Sequence, residues 1–133
     1  MDDALSLWLD EVKAHLITWP LAEHVDIVHI ETGHLVAQYR IRILLADGGL
    51  IQCVERKREL DGGLLTEKYS FHWQNVEGKL IRRWDNAPHH PEISSFPHHL
   101  HDADETNIRP HGPVDLFEIL RIIDNDFQFE PKR

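Results

Sequence analysis

The chain has 133 residues, a net charge of −9 and a single cysteine. That length suits one domain that buries a core without disulfides or metal, and the lone Cys53 excludes an internal disulfide. No apolar run approaches the roughly 20 residues that span a bilayer, and the start lacks the basic and apolar regions of a secretory signal, so the expectation is a cytoplasmic protein with no membrane contact. The acidic total argues against coating nucleic acid through a broad basic surface. Its distribution is uneven, however: residues 36 to 84 carry nine basic and six acidic side chains, a net +3 between two flanking segments of −6 each. Screening confines such fields to about 8 Å at physiological salt, so a local positive groove can still hold phosphate.

In chain order, Leu5, Trp8, Leu9, Val12 and Leu16 recur at helical spacing behind Asp2 and Asp3, predicting a helix over 2–18 that ends before Pro20. From His24 the period falls to two and β-branched residues accumulate, in HVDIVHIE, HLVAQYRIRILLAD, GLIQCVERKREL, LLTEKYSFHWQN and KLIRRWDN. Five strands within 24–86 follow, joined by short connections at Glu31-Thr32-Gly33, Asp47-Gly48-Gly49, Asp61-Gly62-Gly63 and Val76-Glu77-Gly78. A proline-punctuated, histidine-rich segment over 87–112 reads as an ordered functional loop. Leu116, Ile119, Leu120 and Ile123 then form an apolar stripe behind Pro113, predicting a helix over 113–125. The expected fold is α+β in a single domain: one antiparallel sheet of about five meandering strands flanked by an N-terminal and a C-terminal helix.

Alternation along the strands assigns side chains to faces. Tyr39, Ile41, Ile43 and Leu45 oppose Arg40 and Arg42; Tyr69, Phe71 and Trp73 oppose Ser70, His72 and Gln74; Leu80, Arg82 and Trp84 oppose Ile81, Arg83 and Asp85. A polar face thus collects Arg40, Arg42, His72, Arg83 and Asp85. Glu55 is expected near it, because a bulge in the third strand would move either of its side-chain sets. The bland alternative is a solvated sheet face bearing salt bridges.

Five of the eleven histidines fall between His89 and His101. One reading is acid–base catalysis: His72, His90, His98, His99 and His101 supply proton carriers, Arg83 and Arg40 steady a phosphate, and Asp85 orients an imidazole, as a metal-free ribonuclease requires. Arg42, Asn86 and His89 complete the expected substrate contacts. A second reading is a zinc-dependent hydrolase or nucleotide-modifying enzyme with His90, His99 and His101 as ligands, and with a carboxylate such as Glu92 or Asp102 available. A third has the histidines bracing a long loop through hydrogen bonds to backbone and to Asp85, Asp102 and Asp104. His15, His24, His29, His34 and His111 are scattered and suggest no role.

The runs YSFHWQN and RWDNAPHHPEISSFPHHLH resemble the TumE family of small toxins, which belong to type II toxin–antitoxin modules and are encoded beside a helix-turn-helix antitoxin. The resemblance extends from about Tyr39 to His101, and Arg83, Asp85, Asn86, His89, His90, His98, His99 and His101 match its motif. Ser95 stands where the family pattern has threonine. The resemblance implies a toxin held inactive by a cognate antitoxin. Residue types and the plan of other small α+β toxins point to RNA as substrate and to a metal-independent endonuclease without cofactor. The alternatives are zinc as cofactor, or a non-catalytic module whose acidic terminal helices and aromatic side chains such as Trp8 and Trp19 engage a basic partner. Homo-oligomerisation is compatible with each reading.

Overall fold

A computed structural model describes residues 3–127. The chain runs α1 (Ala4–Thr18), β1 (Ala22–Gly33), β2 (Val36–Leu45), β3 (Leu50–Leu60), β4 (Gly63–Gln74), β5 (Leu80–Asp85), β6 (His99–Asp102), β7 (Ile108–Pro110) and α2 (Leu116–Asp126). All the strands pair antiparallel with their sequence neighbours in one sheet of order β1-β2-β3-β4-β5-β6-β7. The meander and the two helices agree with the α+β expectation. The strand count does not: seven strands replace the expected five, and both extra strands come from the segment read as loop. They carry little β-branched residue content, so propensity gave no sign of them, and the pairing partner waiting on β5 supplies what propensity lacks.

Asp3 caps α1 by accepting from the Ser6 amide at 2.7 Å, and Asp115 caps α2 by accepting from the Glu118 amide at 2.9 Å. Between strands, Asp61 and Gly62 both take positive φ, the geometry of a primed hairpin turn, and Leu60 pairs directly with Gly63. The first connection lies two residues later than Glu31-Thr32-Gly33. Strand pairing runs through Gly33↔Val36, and His34-Leu35 forms the turn with Leu35 at φ 61°.

Both helices lie on one face of the sheet. Leu5, Trp8, Leu9, Val12 and Leu16 of α1 and Leu116, Ile119, Leu120 and Ile123 of α2 are buried against Tyr39, Ile41, Ile43, Ile51, Cys53, Tyr69, Phe71, Trp73 and Trp84. Register sets Ile41, Cys53, Phe71, Trp84 and Leu100 in one cross-strand row. Two polar contacts fasten the helices at the rim: Trp19 Nε1 donates to Asp124 Oδ1 at 2.9 Å, and Arg82 pairs with Asp126 and with Asp102.

Glu55 corrects the expectation that placed it near the polar face. It lies on the helix side, fully buried, between Tyr39 and Tyr69 in the cross-strand register. The register shift between β3 and β4 falls after it, where Arg56 and Lys57 pair with Lys68 and Thr66 and the extra residue is Glu67 of β4, so the Ile51, Cys53, Glu55 alternation of β3 continues uninterrupted into the core. Tyr39 Oη donates to Glu55 Oε1 at 2.7 Å, and Lys57 Nζ is 3.9 Å from Oε2. Burial outweighs both and pushes the Glu55 carboxyl from 4.5 up to about 7. Burial and then the Glu55 charge push Tyr39 well above the usual phenol value.

Between those two pH values the folded chain holds a proton on Glu55 that the unfolded chain has lost, so the stability it contributes is complete at low pH and disappears as pH rises through about 7. The expected loss is about 3 kcal/mol. Glu55→Gln keeps an acceptor for Tyr39 and cannot ionise; denaturant unfolding measured from about pH 5 to about pH 8 should show a flatter decline in that variant than in the parent. Identical slopes would remove Glu55 from the account.

Candidate active site

The site begins where β5 ends. Asp85, on the face away from the helices, is followed by Asn86, whose side chain substitutes for strand pairing: its Oδ1 accepts from the Tyr69 amide and its Nδ2 donates to the Glu67 carbonyl, both at 3.0 Å. The Ala87 amide donates to Asp85 Oδ1 at 3.0 Å. The chain then leaves the sheet, with His90 in the left-handed region at φ 60°. Ser95 gathers the excursion: its hydroxyl donates to the His98 carbonyl and accepts from the His111 amide. At His99 the chain rejoins as β6, with Asp85 opposite His99 and Arg83 opposite His101. Directly opposed residues share a face, so register alone brings the two imidazoles onto Asp85.

Each ring has Nδ1 on a main-chain carbonyl and Nε2 facing Asp85. His99 Nδ1 donates to the Pro97 carbonyl and His101 Nδ1 to the Glu105 carbonyl, each at 2.9 Å. His99 Nε2 then stands 3.0 Å from Asp85 Oδ1, and His101 Nε2 stands 3.5 Å from Asp85 Oδ2. The cluster is enclosed: Asp85 is 7% exposed, His99 2% and His101 5%. His90 packs edge to face against both rings, with centroids 5.6 and 6.3 Å away, while its Nδ1 lies 3.3 Å from Glu92 Oε1. Arg83 reaches Asp85 Oδ2 through Nε at 3.3 Å and grips Glu105 with two parallel bonds of 2.6 Å. Arg83, Asp85, His90, His99 and His101 line a cleft of about 730 Å³, whose wall also includes Glu67, Lys68, Ser70, Asn86 and His89.

Other expected residues lie elsewhere. His72 is the cross-strand partner of Arg83 and sits on the same face; burial, and then the Arg83 guanidinium, hold it below the ordinary imidazole value. Arg40 and Arg42 share that face but stand three strands away, roughly 14 Å from β5 at the usual strand spacing. His98 turns to the opposite side, where its Nδ1 meets the Tyr69 hydroxyl at 2.9 Å and its ring stacks on Tyr69. It lines a separate cleft of about 280 Å³ beside Asp115, and burial and the neighbouring His99 lower its pKa. Metal-capable donors converge at Asp85, His99 and His101, all within 4.8 Å of one another, so Asp85 rather than His90 completes the tightest set. Of the other carboxylates considered, Glu92 faces His90 and Asp102 pairs with Arg82 and Arg109. Glu105 has two roles, on Arg83 and beneath His101, that sequence reasoning did not single out; its spacing of four from His101 was the available signal.

No curated protein and no solved structure matches the chain. A family model described as Toxin TumE matches residues 13–127. That span covers the end of α1 from Lys13 onward, every strand, the whole histidine segment and all of α2. The chain therefore belongs to the TumE toxin family.

Proposed function

We propose that this toxin is the growth-arresting half of a type II module, neutralised by a helix-turn-helix antitoxin, and that it cuts RNA in the cleft between β5 and β6. The observation that carries this reading is the gathering of Arg83, His90, His99 and His101 around Asp85 in one open cleft, at the end of a sheet face that also presents Arg40 and Arg42.

The chemistry follows from what each group has free. In cleavage by transesterification the 2′-hydroxyl oxygen attacks phosphorus, the bond from phosphorus to the 5′-oxygen breaks, one group takes the hydroxyl proton and another supplies a proton to the departing oxygen. Arg83 is the cation for the charge that develops on the phosphoryl oxygens, and a phosphate entering the cleft takes the place of Glu105, which is half-exposed, on the guanidinium. His90 is the proton carrier at the cleft wall: Glu92 engages its Nδ1, and Nε2 is left for substrate. His72, beside Arg83, is the second candidate and is predominantly neutral near pH 7, as a base must be. His99 and His101, anchored through Nδ1 to main-chain carbonyls and facing Asp85 with Nε2, stand behind Asp85 and Arg83. Arg40 and Arg42 track the strand away from the cut, as contacts that position phosphate without reading sequence.

Expression of the chain without its antitoxin should arrest growth and create new RNA ends, while Arg83→Gln and His90→Ala, each folded by circular dichroism, should cut at least 100-fold more slowly. Arrest with intact RNA would reject the RNA reading. Replacing Arg40 and Arg42 together with alanine should weaken RNA binding and lower the slope of affinity against salt by about two, with little effect on the rate of cutting by bound protein. A salt slope equal to the parent's would remove those two arginines from the RNA path.

A further inference from the structure

We infer that Asp85, His99 and His101 form a binding site for one divalent first-row transition ion of the zinc type. The sequence favoured a metal-free site; the argument for an ion comes from where the hydrogens must be. A main-chain carbonyl only accepts, so the bonds from Nδ1 of His99 to Pro97 and from Nδ1 of His101 to Glu105 place a proton on each Nδ1. In the neutral imidazole each Nε2 is then a lone pair, and both lone pairs point at the two oxygens of one carboxylate. Two ring lone pairs and a carboxylate, the latter also touched by the Ala87 amide and by Arg83, thus converge at the cleft wall in the arrangement that ligates a cation.

A single divalent ion satisfies both lone pairs and the carboxylate together. Donors about 2.1 Å from a tetrahedral ion stand about 3.4 Å apart; here His99 Nε2 is 3.0 Å from Asp85 Oδ1, His101 Nε2 is 3.5 Å from Asp85 Oδ2, and one donor atom from each of the three residues lies within 4.8 Å of the others.

The surroundings are those that metal-bound residues need. Each histidine donates its far N–H to a carbonyl, which fixes tautomer and ring plane, and the carboxylate accepts from the Ala87 amide and from Arg83. Asp85, His99 and His101 sit on paired strands rather than on mobile loops, and all three line the cleft, so protein supplies three ligands and the cleft side offers a fourth position. Two imidazoles and one carboxylate select zinc-type ions over magnesium, which prefers oxygen ligands and its own water. The site itself is independent of the substrate. Only the ion's task, polarising a phosphoryl oxygen or a water at the open position, rests on the RNA reading.

The test uses chain purified without a nickel column and stripped with chelator. Titration calorimetry should show one equivalent of Zn2+ bound and no competition from millimolar Mg2+. His99→Gln and His101→Gln should weaken binding at least 100-fold, whereas His24→Gln on β1 should leave it unchanged. Should either ligand variant fail to fold, the visible spectrum of Co2+ on the unsubstituted chain reports the same site, with intense bands expected for low coordination. Absence of binding, or binding unaffected by both ligand variants, overturns the assignment. Assaying RNA with stripped and zinc-loaded protein separates the two proposals: an ion bound with no RNA cut rejects the RNA reading and keeps the site, and RNA cut equally by stripped protein rejects the ion's part in cutting.

Discussion

The return of the chain onto β5 is the contact from which the site is built. β5 has only six residues, and after Asp85 the backbone leaves the sheet for thirteen residues before His99 pairs with Asp85 itself. That single register converts sequence-distant residues into a cluster. A slip of one residue would turn His99 and His101 toward the helices and bring Leu100 onto Asp85. The register is held from both sides, by Leu100 in the apolar row with Trp84 and by the hydrogen bonds of Asn86 and Ser95 that close the excursion.

The helix-covered face gives that register something rigid to rest on. Trp84, Phe71, Cys53 and Ile41 run across four strands beneath α1 and α2, and interiors packed to that density do not shift by fractions of a strand step. One residue in the core is out of keeping with it. Glu55 sits among tyrosines at zero exposure, with one oxygen bonded to Tyr39 and the other 3.9 Å from Lys57 Nζ. A buried carboxyl of this kind binds its proton more tightly in the folded chain, so it ties the stability of the sheet to pH without entering the cleft.

Charge is arranged to opposite effect on the other face. Arg83 is held by Asp85 and Glu105, which keeps a guanidinium in a fixed orientation yet leaves one of its partners exposed and displaceable. Arg40 and Arg42 stand across the sheet with no such restraint imposed from β5. An overall acidic protein can in this way present a cationic strip, because the acidic side chains concentrate in the first and last segments of the chain.

Alternation and helical spacing were sufficient to define the α+β class, the two helices, the meander through β5 and the division of Tyr39, Phe71 and Trp84 from Arg40, His72 and Arg83, because periods of two and 3.6 are local properties of the backbone. The family, too, was legible in the histidine motif, and a family model matching 13–127 shows it. The sequence could not show which imidazoles meet. His98 and His99 are neighbours, yet one stacks on Tyr69 and the other faces Asp85, and two strands lay unseen in a polar segment whose pairing partner is distant. Register between strands is a non-local property set by packing and by turns, so the burial of Glu55, the distance of Arg40 from the cleft and the convergence of Asp85, His99 and His101 belong to the tertiary structure alone.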